Sequence, residues 1–111
     1  MLITMGMKPA IQRMIKDIKK DDTKVQITGY IDEMEDKSSF LLQDSTGKIR
    51  VHAEKMSLSY STGDLINILG ELDYGEEKER VLTAVIIQNM EGLNFEYYKQ
   101  LYEIKKQYLT M

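Results

Sequence analysis

The sequence predicts a mainly β domain, a small closed barrel of five strands with a helix on either side. Three observations predict it. Five segments between residues 25 and 90 read as strands, the first three with apolar residues at every second position, the period of a half-buried strand. Two of the five carry an internal glycine, Gly29 and Gly70, where a long strand bends and another backbone comes close. The segments before residue 24 and after residue 93 change to helical spacing. Strands in sequence with flanking helices, at 111 residues, fit one barrel domain.

Residues 8–20, KPAIQRMIKDIKK, are predicted as a helix. Pro9 suits a first helical position, where its missing N–H costs nothing. Met7, Ile11, Met14, Ile15 and Ile18 share one stripe, and Arg13, Lys16 and Lys20 lie opposite, as a solvated face. Asp21-Asp22 ends the segment, so residues 1–24 are expected as an N-terminal helical extension. Met1, Met5 and Met7 are alternative starting residues.

The barrel is expected over residues 25–92. In its first strand Val25, Ile27, Gly29 and Ile31 alternate with Gln26, Thr28, Tyr30 and Asp32. After the polar loop EMEDKSS comes FLLQDSTGKIRV, Phe40 to Val51, a hairpin with Phe40, Leu42, Ile49, Val51 and Ala53 facing inward. Gly47 supplies backbone freedom for its turn, and Asp44 or Ser45 hydrogen-bonds locally. A connector (Glu54 to Gly63), the strand DLINILGEL, a charged loop (Asp73 to Glu79) and the strand RVLTAVIIQNM complete it.

Residues 93–111 are expected as an oligomerisation helix. At 100° per residue, Leu93, Tyr97, Leu101, Ile104 and Tyr108 fall within an arc of about 80°, and Phe95, Tyr98, Tyr102 and Leu109 form a second arc roughly 100° further round. A helix lying on its own domain needs one apolar stripe. Two stripes point to two contacts, one with the domain and one with a partner or both with partner helices in a bundle, or to one wide face edged by tyrosine hydroxyls.

Charge separates along the chain. Residues 1–24 carry +3, residues 25–92 carry −7 and residues 93–111 carry +1, for a net −3. A general nucleic-acid binder presents a basic stripe, which the −7 segment does not. The chain has no cysteine and one histidine, His52, so disulfides and cysteine-based metal sites are excluded. His52 reads as a polar strand residue. Neither GxxxxGK[ST] nor GxGxxG occurs. The carboxylates Glu76, Glu77 and Glu79 sit on a loop without fixed geometry for acid–base work. The reading is no enzyme, with no catalytic residue, cofactor, metal or small-molecule substrate. No apolar run approaches the roughly 20 residues that span a bilayer, so no membrane partner is expected. The location expected is intracellular, in cytoplasm or nucleoid, or in the nucleus of a eukaryote.

The order VQITGYI, FLLQDSTGKIRV, GDLINILGEL, VLTAVIIQNM resembles an OB-fold, and with the terminal helix the chain resembles a small subunit of the replication protein A family. That resemblance implies association with larger OB-fold subunits through C-terminal helices bundled in threes. It places Leu93, Tyr97, Tyr98, Leu101, Tyr102, Ile104 and Tyr108 at the subunit interface. It also implies single-stranded DNA on the outer face of the second and third strands. Arg50, Lys48, His52, Lys37 and Arg80 would meet it there, with Tyr30 and Tyr74 stacking on bases, and Lys78 lies beside the later loop. Glu54 stands where an aromatic platform is expected and the late loop is acidic, which implies weak or auxiliary DNA contact. Two other functions fit the same residues: an autonomous single-strand binder, and an adaptor whose barrel binds only protein, as in telomere-capping or recombination-accessory complexes.

Overall fold

A computed structural model of the chain describes residues 10–36, 38–53, 60–74 and 79–109. Among them the order is β1 (Ile11–Gln12), a 3-10 turn (Ile15–Asp17), β2 (Lys24–Met34), β3 (Ser39–Gln43), β4 (Lys48–His52), β5 (Leu65–Tyr74), β6 (Arg80–Asn89) and α1 (Phe95–Leu109). The barrel closes because β2 is long enough for two partners. Its first part pairs antiparallel with β5, from Lys24–Glu71 to Tyr30–Leu65. Its last part pairs with β3, from Tyr30–Gln43 to Met34–Phe40. The β3–β4 hairpin follows, β4 runs parallel to β6, and β6 returns to β5. The predicted closed five-stranded OB-fold barrel is therefore present, with β1 as one further short strand.

Gly29 sits where β2 passes from one partner to the other. A Cβ there would stand 2.5 Å from the Gln43 carbonyl oxygen, a backbone atom with no rotamer to escape into. A Cβ on Gly70 would meet the Thr83 carbonyl oxygen at 2.7 Å, where the β5–β6 register shifts between Leu69 and Gly70. Between these bends the alternating residues turn inward. Val25, Ile27, Ile31, Phe40, Leu42, Val51, Ile66, Ile68 and Leu82 are buried in one core, each stabilising the fold by about 1.5–3 kcal/mol on the usual scale for apolar side chains.

The N-terminal segment differs from the helix expected over residues 8–20. Residues 8 and 9 lie outside the described residues, as does Met7. From Ile11 onward the chain forms β1, the 3-10 turn and extended flanks, with Met14 at φ −82°, ψ 154° and Ile18 at φ −63°, ψ 127°. Two partners invisible to local periodicity take the backbone groups that a helix would satisfy internally. The first is β2, whose early part is bare of β3 and pairs in parallel with β1, Ile11 with Val25 and Gln12 with Gln26. The second is Asp44, fully buried in the hairpin turn. Its Oδ2 accepts the Ile15 N–H at 2.7 Å, while its Oδ1 accepts the Thr46 N–H and hydroxyl at 2.9 and 2.6 Å. Met14, Ile15 and Ile18 are still buried, because a 3-10 turn also puts neighbouring turns on one side. In the hairpin turn the positive φ falls on Ser45, at 74°, and not on Gly47. Gly47 instead makes room for Ile15, whose Cγ2 would lie 3.0 Å from an added Cβ.

Gly29→Ala tests the closure. The methyl cannot be housed without moving β3, so the variant should lose about 1–3 kcal/mol, the range for overpacked sites, measured by urea denaturation. An Ala variant as stable as the parent would show that β2 and β3 are free to separate.

Candidate nucleic-acid face and partner helix

The outer face of β3 and β4 is built by strand alternation. With Ile49 and Val51 inward, Lys48, Arg50 and His52 point out, opposite Gln43, Leu41 and Ser39 of β3. The expected basic row is in place, but carboxylates already occupy it. Lys48 Nζ lies 2.8 Å from Asp32 Oδ2. Arg50 donates from Nε and Nη2 to the two Glu35 oxygens at 2.7 and 3.1 Å, and from Nη1 to Glu79. The fork held by Glu35 raises the Arg50 pKa further above its ordinary value. The same bonds hold the Glu35 carboxyl below the usual carboxylate range. Bidentate carboxylate–guanidinium geometry is what a phosphate would otherwise offer Arg50.

The other expected contacts scatter. Arg80 Nη1 donates to the Ile18 carbonyl at 3.1 Å. Tyr30 is half-buried beside α1, its ring 5.3 Å edge-to-face from Phe95. Tyr74 is 54% exposed and His52 half-buried. Lys37, Glu54, Glu76, Glu77 and Lys78 lie outside the described residues. The sequence reading missed Asp32, Glu35 and Glu79 as partners of the basic row. The −7 charge of residues 25–92 was the available signal, without their pairing.

Helix α1 divides between its two stripes. One lies on the protein. Phe95 packs on Tyr30, and the Phe95 and Tyr98 rings stack at 5.9 Å. The Tyr98 hydroxyl accepts from Gln12 Nε2 at 2.8 Å, and the Tyr102 hydroxyl donates to Asp17 Oδ2 at 2.7 Å. Lys106 Nζ reaches Asp17 Oδ1 at 2.9 Å, and Lys16 reaches Glu103 at 2.8 Å. Tyr98 and Tyr102, expected at the subunit interface, thus serve the chain's own barrel; the Leu109 side chain is outside those described. The other stripe faces out: Tyr97 is 62%, Ile104 61% and Tyr108 76% exposed, with Leu101 at 39%. Leu93, just before the helix, is half-buried.

Asp17 joins the 3-10 turn to α1 through two side chains of the helix. Burial pushes its carboxyl up, but the hydrogen bonds from Lys106 and Tyr102 outweigh that and hold it below the ordinary range. Burial, with the Asp17 carboxylate beside it, pushes the Tyr102 hydroxyl up to about 12. Among the described residues no group of His, Cys, Asp and Glu is arranged to hold a metal ion, and no helix is long and apolar enough to cross a membrane.

A family model described as "Telomere-capping, CST complex subunit" matches residues 10–111. No curated protein matches the sequence. A chain in the crystal structure of the S. pombe Stn1–Ten1 complex superposes with a TM-score of 0.73 at 16% identity, over 94% of this chain and 98% of that one. The telomere capping protein Ten1 of S. pombe gives 0.71 at 16% identity, over 89% and 99%. A replication protein A heterotrimer bound to ssDNA gives 0.60 at 13% identity, over 71% and 66%. At these identities the likeness is one of fold, and the OB-fold expectation, with its likeness in fold to a replication protein A chain, stands.

Asp17→Asn tests the helix dock. A carboxylate whose pKa is depressed by folding stabilises above its unfolded pKa, about 3.9 for Asp, and that contribution fades as pH falls through the lower folded value. At pH 7 the Asn variant should be less stable by about 1.5–3 kcal/mol, the scale for hydrogen bonds to a charged group. The gap between variant and parent should narrow below about pH 4 in thermal melts, because the parent then loses the same charge. A gap constant from pH 7 to pH 3 would assign Asp17 no electrostatic role.

Proposed function

This chain belongs to the family of telomere-capping CST complex subunits, and we propose that it is the small OB-fold subunit of such a complex. In this reading it is a binding protein without catalysis. It docks to a larger OB-fold subunit through the outer stripe of α1 and adds a weak contact to single-stranded DNA from its barrel. The observation that carries the reading is the division of α1. One stripe is spent on the barrel, and the other leaves Tyr97, Leu101, Ile104 and Tyr108 in solvent. Contiguous exposed apolar surface of this kind marks interaction sites, and tyrosine flanking aliphatic residues is common at their energetic centres. The solved relatives support the kind of partner, since one is a two-protein complex and another a heterotrimer. Because Asp17, Gln12 and Tyr30 fix the inner stripe, the outer stripe is presented at a set angle. That lowers the ordering cost of association.

The weak DNA contact rests on the clamped basic row. A phosphate approaching Lys48 or Arg50 must compete with Asp32, Glu35 and Glu79, which reduces the counterion release that drives nucleic-acid binding. The same clamp favours a second reading, a subunit whose barrel touches only protein. Anisotropy titration of a labelled single-stranded oligonucleotide at low salt decides between them. Binding that falls with salt supports the first, and none supports the second.

Leu101→Asp tests assembly. It puts a charge in the middle of the outer stripe, so affinity for the larger subunit should fall by two orders of magnitude or more, about 3 kcal/mol. The melting of the chain alone should stay within about 0.5 kcal/mol of the parent, as for surface substitutions. Co-purification of the variant with the larger subunit at parental yield would rule out α1 as the dock.

A further inference from the structure

Two grooves meet beside the basic row, and they share Glu79 and Arg80. The first, about 240 Å³, is lined by Lys48 and Arg50 over Leu41 and Ile49. The second, about 650 Å³, runs from there to Lys20, Tyr74 and Ile18. Four cationic side chains therefore line the joined path, two from β4, one from β6 and one from the N-terminal segment. Against them stands one carboxylate among the described lining residues, Glu79, at the junction. Asp32, which pairs with Lys48, and Glu35 do not line either groove. Glu35 grips Arg50 through Nε and Nη2, leaving Nη1 turned to Glu79.

We propose that Glu79 is a carboxylate gate on a binding path for the phosphodiester backbone of a single-stranded nucleic acid, running from the β3–β4 hairpin across Arg80 to the N-terminal segment. Resting on the DNA contact proposed above, it adds the route and what closes it. Glu35 is a positioning residue that orients the guanidinium, so a phosphate oxygen replacing Glu79 finds Nη1 already aimed. Arg80 is tethered through one nitrogen to the Ile18 carbonyl, which holds the rest of its guanidinium along the path, and Lys20 follows. Beside Arg80, its cross-strand partner, Tyr74 is 54% exposed and gives a base a ring to stack on, which a carboxylate polymer would not use. The path leaves the hairpin face towards the N-terminal segment because the two grooves that share Glu79 and Arg80 continue to Ile18 and Lys20.

The test uses the full chain and fluorescein-labelled oligothymidylate, by anisotropy at two or more salt concentrations. Glu79→Gln should tighten binding about tenfold at low salt, the effect of removing a like charge from a phosphate site. It should also steepen the dependence of log K on log salt by about 0.7, one further phosphate on a single strand. Adding Arg50→Ala should cancel the gain, and Lys20→Ala or Tyr74→Ala should reduce it. Glu79→Ala serves as a second gate variant, and thermal melts show that each variant is folded. The gate is overturned if both Glu79 variants bind within about twofold of the parent, or if the gain survives Arg50→Ala. Displacement of the oligonucleotide by polyglutamate at equal charge concentration overturns the nucleic-acid assignment. Parental binding without a gain in the Glu79 variants removes the gate alone, whereas no binding by any variant removes the DNA contact as well.

Discussion

One strand with two partners organises this protein. β2 must pair with β5 along its first part and β3 along its last, and a sheet can curl into that arrangement only if the chain comes into close contact at the handover. Gly29 meets that requirement by having no side chain. The rest follows from closure. Inward residues acquire a shared core, outward residues of β4 acquire a row, and the early edge of β2, left bare by β3, becomes available to β1. The N-terminal segment then lies along that edge and gives α1 its seat at Gln12 and Asp17.

Much of this was legible in the residues because burial imposes simple periods. Val25, Ile27 and Ile31 announce a strand, and the residues after 93 announce a helix with two apolar stripes. Strand alternation alone turns Arg50 outward. What was hidden depends on residues distant in the chain. Met14, Ile15 and Ile18 have helical spacing, yet the N–H of Ile15 goes to Asp44, 29 positions away. No local pattern records that. Arg50 reads as a cation awaiting a phosphate, but its partners Glu35 and Glu79 lie 15 and 29 positions away. The inner tyrosines read as partner contacts for the same reason: Tyr102 is amphipathic on any wheel, and Asp17 makes it an internal residue.

Acidic composition and a basic row are compatible once pairing is considered. The surplus carboxylates of the barrel are placed on the cations, so the face is close to neutral at short range and negative at long range. Such a surface repels polyanions at a distance beyond the Debye length, roughly 8 Å at physiological salt, only feebly, and discriminates chiefly on contact. A subunit delivered to its site by a protein partner needs no long-range attraction to nucleic acid, since tethering supplies the local concentration.

The seat of α1 also sets an order of events. Tyr102 reaches Asp17 across 85 positions of sequence and Lys106 reaches it across 89. Contacts so remote carry a high loop-closure cost unless nearer pairings have already brought the ends together. During synthesis the N-terminal segment and all the strands emerge before the helix that completes the seat. Until the barrel and its N-terminal segment are assembled, α1 has nothing to hold its inner stripe, and both stripes are equally open. Only a finished barrel sorts them, so a helix with one stripe covered and one left open reports that the chain beneath it is already folded.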